Sequence, residues 1–136
     1  VIDEQLRVYL AASYVRRAEA RKIKEQLERM AEVRIVSDWM VRDPEPSDQC
    51  APKDYQQLHD QAQVLVVLTG DTLSKGGRHT ELGIALAEGK PVLLLGPRER
   101  NVFHHLAQVT QCDTVEDVAS KLIMMANDCP QVVVAS

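Results

Sequence analysis

A three-layer α/β domain built on a five-stranded parallel sheet is what this sequence predicts, and three observations predict it. Short β-prone runs recur five times along the chain. Longer segments with apolar residues at helical spacing separate them. Two of the runs, "VLVVL" and "PVLLLG", are apolar throughout, as a strand is when a parallel sheet is covered on both faces.

The elements follow in order. "LRVYLAAS", Leu6 to Ser13, reads as the first strand, and "YVRRAEARKIKEQLERMAE" as a charged helix whose apolar side includes Ala20, Ile23, Leu27 and Met30. "VRIVS" is a second short strand. The Pro- and Asp-rich "DWMVRDPEPSDQCAP" predicts a surface loop. A helix is expected from about Pro52, a residue suited to a first turn, through "KDYQQLHDQA". "QVLVVLTG" is the third strand. In "HTELGIALAEG", Leu82, Ala85 and Leu86 fall on one helical side and Gly89 supplies the stop. "KPVLLLG" is the fourth strand, "RERNVFHHLAQV" a loop with a helical turn, "VTQCDT" a weak fifth strand and "VEDVASKLIMMAND" an amphipathic last helix. Alternating strands and helices with right-handed crossovers lead to a flavodoxin-like strand order, 2-1-3-4-5. Residues 1–136 are expected to form one domain, since 136 residues bury roughly two thirds of the unfolded surface around one core.

Composition excludes several functions. A formal charge of −4 and a pI near 5.5 oppose a protein that grips nucleic acid or an anionic membrane. Cys50, Cys112 and Cys129 are odd in number and lie far apart, without CxxC spacing, so neither a disulfide framework nor a zinc site is expected. A reducing cytoplasm is the expected compartment. No apolar run approaches a bilayer span.

In a sheet of this order, ligands bind outside the carboxyl ends of the strands where the winding direction switches, between the first and third strands. The unusual residues gather at those ends. "YLAASY", with Tyr9 and Ser13, follows the first strand, and "SDWM", with Trp39, the second. "TGDTLSKGGRHTE" follows the third and "GPRERN", with Asn101, the fourth. Glu81 reads either as a first-turn acid stabilised by the helix dipole, by about 0.3–1 kcal/mol, or as a functional carboxylate approached through Gly76 and Gly77. Gly83 inside that helix costs about 1 kcal/mol, which implies a packing or access requirement. Asp54 has the same two readings: an early-helix acid, or the second carboxyl that glycosidic cleavage needs beside a nucleophile. Tyr9 reads either as a strand residue with its ring in the core and its hydroxyl at the rim, or, near the strand's carboxyl end, as a hydroxyl that could orient a carboxylate. Ser74, Lys75 and Arg78, beside two glycines and a helix start, are either a solvated loop or a phosphate grip. Trp39 is a base-stacking residue or a wall. His79, His104 and His105 have no acid or Cys at a recognisable metal spacing, and no metal is expected.

With these residues in place, the chain resembles the nucleoside 2-deoxyribosyltransferase family and its relatives that hydrolyse 2'-deoxynucleoside 5'-monophosphates. The resemblance rests on "VYLAAS" with Tyr9, on Asp54-x-x-x-Leu58 before an apolar strand, on "GGRHTELGIALAEGKPV" with Glu81, and on "LLLGPRERNVFHHL". It implies that Glu81 attacks the anomeric carbon of a deoxyribose, that Tyr9 positions the Glu81 carboxylate, and that Asp54 serves the departing base. A wet, dipole-rich rim would keep the nucleophile ionised. It implies no cofactor, a small nucleoside or nucleotide as ligand, and a homodimer or larger assembly. Transferases of the family commonly carry an acid six positions before the nucleophile. Lys75 stands there, with Ser74 beside it, so a phosphorylated substrate is the expectation. A non-catalytic nucleotide-binding module is the alternative from another class.

Overall fold

The computed structural model describes residues 5–71 and 76–128. Its elements are β1 (Arg7–Ala11), α1 (Arg17–Ala31), β2 (Arg34–Ile35), α2 (Ser47–Gln56), β3 (Val64–Leu68), α3 (Gly77–Ala87), β4 (Val92–Leu95), β5 (Val109–Cys112) and α4 (Val115–Asp128). Tight 3-10 turns at Tyr14–Arg16 and Val102–His105 and a π-helical turn at Gln57–Gln61 complete them. The strands form one parallel sheet in the order β2-β1-β3-β4-β5, so the expected topology holds.

Strand alternation sends side chains to two separate cores. Val8, Leu10, Val66, Leu68 and Leu93 pack under α1 and α4. Tyr9, Ala11, Leu65, Val67 and Leu94 face the other way, against Leu58, Leu82 and Ala85 of the α2–π turn and α3 layer. All five residues of β3 are buried, as its unbroken apolar run requires. Each fully buried Leu on these faces contributes about 1.5–3 kcal/mol relative to exposure. Gly89, with φ +74, ends α3 where the Lys90 N–H bonds the Ala85 carbonyl, a left-handed stop that glycine adopts without strain.

Three details differ from the sequence reading. Met30 is exposed, and Ala31 completes the buried stripe of α1 in its place. The apolar spacing allowed either residue, and the one-residue phase decided. The surface loop ends earlier than expected, because α2 starts at Ser47 and not near Pro52. The Pro46 carbonyl accepts from the Gln49 and Cys50 N–H groups, and Pro52 sits inside the helix on an exposed turn. Helix α3 starts at Gly77, two residues before the expected His79. Among the described residues Cys50 and Cys112 are free thiols, and no helix is long and apolar enough to cross a membrane. Cys129 lies outside the described residues.

Candidate functional site

Tyr9 lies mid-strand in β1 on the α3 side, fully buried, and its hydroxyl donates to Glu81 Oε2 at 2.5 Å. Glu81 is the fifth residue of α3, beyond the first turn, so the dipole-capping reading of this acid fails. Asp54 is the eighth residue of α2, so its early-helix reading fails as well. Both carboxyls, with Tyr9, line one cleft of about 360 Å³ whose other walls include Ser13, Tyr14, Trp39, Gly77 and Arg78. It opens past the carboxyl end of β1, between that end and α3, the helix that follows β3. Trp39 is a half-buried wall held by its indole N–H on the Leu10 carbonyl at 2.7 Å, and Tyr14 leans toward it with ring centroids 6.4 Å apart.

Electrostatics divide the three groups. Burial pushes Glu81 up to about 7, while the Tyr9 hydrogen bond pulls it down and the charge of Asp54 pushes it further up. The expectation of a carboxylate kept ionised by a wet rim is therefore corrected: the Glu81 carboxyl is desolvated, and near neutral pH it is shared between its two forms. Tyr9 is raised far above the ordinary phenol range, first by burial and then by the charge of Glu81, so it stays a hydrogen-bond donor. Asp54 is raised by burial, against the pull of Arg42, whose Nη2 it accepts from.

The residues expected to bind substrate are arranged in three ways. Ser13 lines the cleft, but its hydroxyl donates to Asp71 Oδ1 at 2.9 Å. Gly77 borders the cleft, while the Gly76 carbonyl receives the His79 and Thr80 N–H groups at the start of α3. Arg78 is only 4% exposed, and it clasps Glu99 through Nη1 at 2.5 Å and Nη2 at 2.9 Å. That clasp changes the expected role of Arg78 as a solvent-facing anion grip, because a charge this deeply buried needs a fixed partner. Its Nε is buried with no partner among the described residues. Asn101 lies in a neighbouring cleft and caps the Val102–His105 turn by accepting the Phe103 N–H at 3.0 Å. Ser74 and Lys75 fall outside the described residues.

Sequence reasoning missed Arg42, Asp71 and Glu99. Arg42 was hidden in a segment read as loop, although its acidic neighbours Asp38, Asp43 and Glu45 were a signal. Asp71 joins Ser13 to Arg16, whose Nη1 reaches both Asp71 Oδ2 at 3.1 Å and the Thr69 carbonyl at 2.9 Å. Glu99 also brings an acid to two histidines: ligand atoms of His79, Glu99 and His104 lie within 4.8 Å of one another. Their donor set fits a metal poorly. Glu99 is committed to Arg78, and His104 Nδ1 accepts the Glu99 N–H, which puts the neutral ring's proton on Nε2. Of the packing or access requirement expected at Gly83, the packing part finds no neighbour among the described residues, since a Cβ there would meet nothing within 4 Å.

No known family profile matches the chain, and no curated protein matches it. Solved structures do. One is a Clostridium botulinum CMP N-glycosidase, BcmB, with a TM-score of 0.62 and 24% identity over 87% of this chain and 98% of that one. Another is a conserved protein from Enterococcus faecalis, with a TM-score of 0.65 and 16% identity over 88% of this chain and 98% of that one. At these identities the likeness is one of fold.

Proposed function

We propose that this chain is an enzyme that cleaves the N-glycosidic bond of a 2'-deoxynucleoside or its 5'-monophosphate through a covalent glycosyl–Glu81 intermediate. The observation that carries this reading is the Tyr9 hydroxyl on the Glu81 carboxyl, with Asp54 in the same cleft at the switch point. One carboxyl to attack and a second to handle the leaving-group proton is the set that retaining glycosidic cleavage uses. A fold shared with a CMP N-glycosidase is in keeping with it.

In the first step a Glu81 oxygen forms a bond to the anomeric carbon. The bond from that carbon to the base breaks, its electron pair goes to the base nitrogen, and Asp54 gives that base a proton. Water, or a second base, then attacks the same carbon, returning the electron pair to Glu81 and a proton to Asp54. Tyr9 holds the attacking carboxyl in one rotamer and does not itself ionise. We favour a 5'-phosphate on the substrate, because the start of α3, with its backbone N–H groups, borders the cleft.

The test is to incubate the protein with each deoxynucleoside and its monophosphate, with and without a second base. Free base marks a hydrolase and an exchanged base a transferase. Binding without release of base from any substrate would leave a nucleotide-binding module as the better reading.

A further inference from the structure

Helix α2 carries Asp54 yet buries none of its own residues, so core packing does not set where that carboxyl points. The turn after β2 is the opposite. Met40 is fully buried, the Met40 carbonyl receives Arg21 Nη2 at 3.0 Å, and Trp39 is pinned to the Leu10 carbonyl. Arg42 leaves this anchored turn, its own N–H bonded to the Asp38 carbonyl at 3.0 Å, and reaches the acid on α2. Its guanidinium lies within ion-pair distance of three carboxyls: it donates to Asp54 through Nη2 and to Glu45 through Nη1 at 3.4 Å, and its Nε lies 2.8 Å from Asp38 Oδ1 without a hydrogen bond among the described residues. Gln57 adds a second tie from just past α2, donating to Asp38 Oδ1 at 2.8 Å.

Asp54 also sits on a seam. A second cleft, of about 430 Å³, lies beside the first, and the two share Tyr14, Trp39 and Asp54. Arg42 and Glu45 line only the second. A leaving base passing from the Glu81 side would meet the Asp54 carboxyl at the boundary.

We propose that Arg42 is the positioning residue for Asp54, fixing its carboxyl at the seam between the two clefts while Asp38 and Glu45 absorb the guanidinium charge so that the acid can still carry a proton. The proposal rests on the base-cleaving reading above. One cation facing one acid would simply hold that acid ionised. Here the cation faces three. Asp38 and Glu45 oppose the effect of Arg42 on Asp54, Lys53 draws on Glu45 at 2.8 Å, Cys50 lies near Arg42, and Glu81 and Tyr9 face Asp54 from across the first cleft.

The experiment follows the Asp54 carboxyl by carbon-13 NMR as pH is varied, which needs no substrate, and measures kcat and KM for base release in parallel. Arg42→Gln is expected to raise the Asp54 midpoint and Glu45→Gln to lower it. Arg42→Lys is expected to restore the midpoint but not the rate, since one ammonium cannot reproduce a planar fork. In both Arg42 variants kcat is expected to fall by roughly tenfold to a hundredfold with KM little changed, the cost of misplacing a reacting group by about 1 Å. An Asp54 titration unmoved by both Arg42→Gln and Glu45→Gln overturns the proposal, as does an Arg42→Gln kcat within about twofold of the parent. If the parent releases no base, the cleavage reading fails by itself, and the NMR titration still decides whether Arg42 governs Asp54. Glu45→Gln keeps the side chain's size and leaves Arg42 with Asp54 and Asp38, so its opposite shift remains readable if Arg42→Gln does not fold.

Discussion

Replacing Glu81 with Gln should make the protein more stable at alkaline pH, and the size of the gain follows from the cleft. Folding moves the Glu81 carboxyl from an ordinary value of 4.5 to about 7, with burial the largest cause. Between those values the folded state keeps a proton that the unfolded chain has lost, so stability falls as pH rises through this window. The difference is about 2.5 pH units, and at 1.36 kcal/mol per unit it is worth about 3 kcal/mol once pH exceeds 7. Glu81→Gln keeps an oxygen for the Tyr9 hydroxyl but has no proton to lose. Its stability relative to the parent should be flat below pH 4.5, rise from pH 4.5 to 7, and level off above. For a chain of 136 residues the shift amounts to roughly 10 °C in Tm at pH 8. Thermal or urea unfolding of both proteins from pH 4 to 9 measures it, and the titrating groups not coupled to Glu81 cancel in the difference. Parallel curves across the whole range would refute the claim that folding desolvates this carboxyl.

Tyr9→Phe removes the hydrogen bond that holds Glu81 down, so the acidic limb of the kcat/KM profile for base release should move to higher pH; an unmoved limb would mean that the hydroxyl does not act on Glu81. Arg78→Ala removes a buried guanidinium from the part-exposed Glu99, which keeps the Gly70 N–H, and should cost about 1–3 kcal/mol in urea unfolding, where loss of a solvated loop charge would cost almost nothing. Light scattering should find a homodimer or larger assembly, with the exposed Gly83 and Ala87 of α3 allowing close approach of a second copy, whereas Ala85 is spent on the sheet. A monomer at high concentration would exclude that assembly.

The strand order was legible because two apolar runs and the alternation of elements admit few other topologies, and the switch point then located the cleft. That Tyr9, Asp54 and Glu81 come together in one cleft agrees with their selection from the sequence, but their geometry was not legible there. The starts of α2 and α3 are set by backbone turns at Pro46 and Gly76, and those starts remove both carboxyls from the first turn. Burial of the Glu81 carboxyl depends on Tyr9 folding under α3, a contact 72 residues apart in the chain. The clasp of Arg78 by Glu99 likewise joins α3 to the loop after β4, and nothing local in "GGRHTE" indicates it. That loop is drawn in close, since a Cβ on Gly96 would come within 2.6 Å of Thr69 Oγ1.

The central claim is that Glu81 becomes bonded to the sugar. Acid-quenching the enzyme during turnover of a reactive 2'-deoxynucleoside 5'-monophosphate, followed by peptide mass spectrometry, tests it most directly. The expected result is a sugar-phosphate adduct on the peptide that contains Glu81, present while substrate lasts and absent from Glu81→Gln. Base released at full rate by Glu81→Gln, or an adduct carried by a different residue, would contradict it.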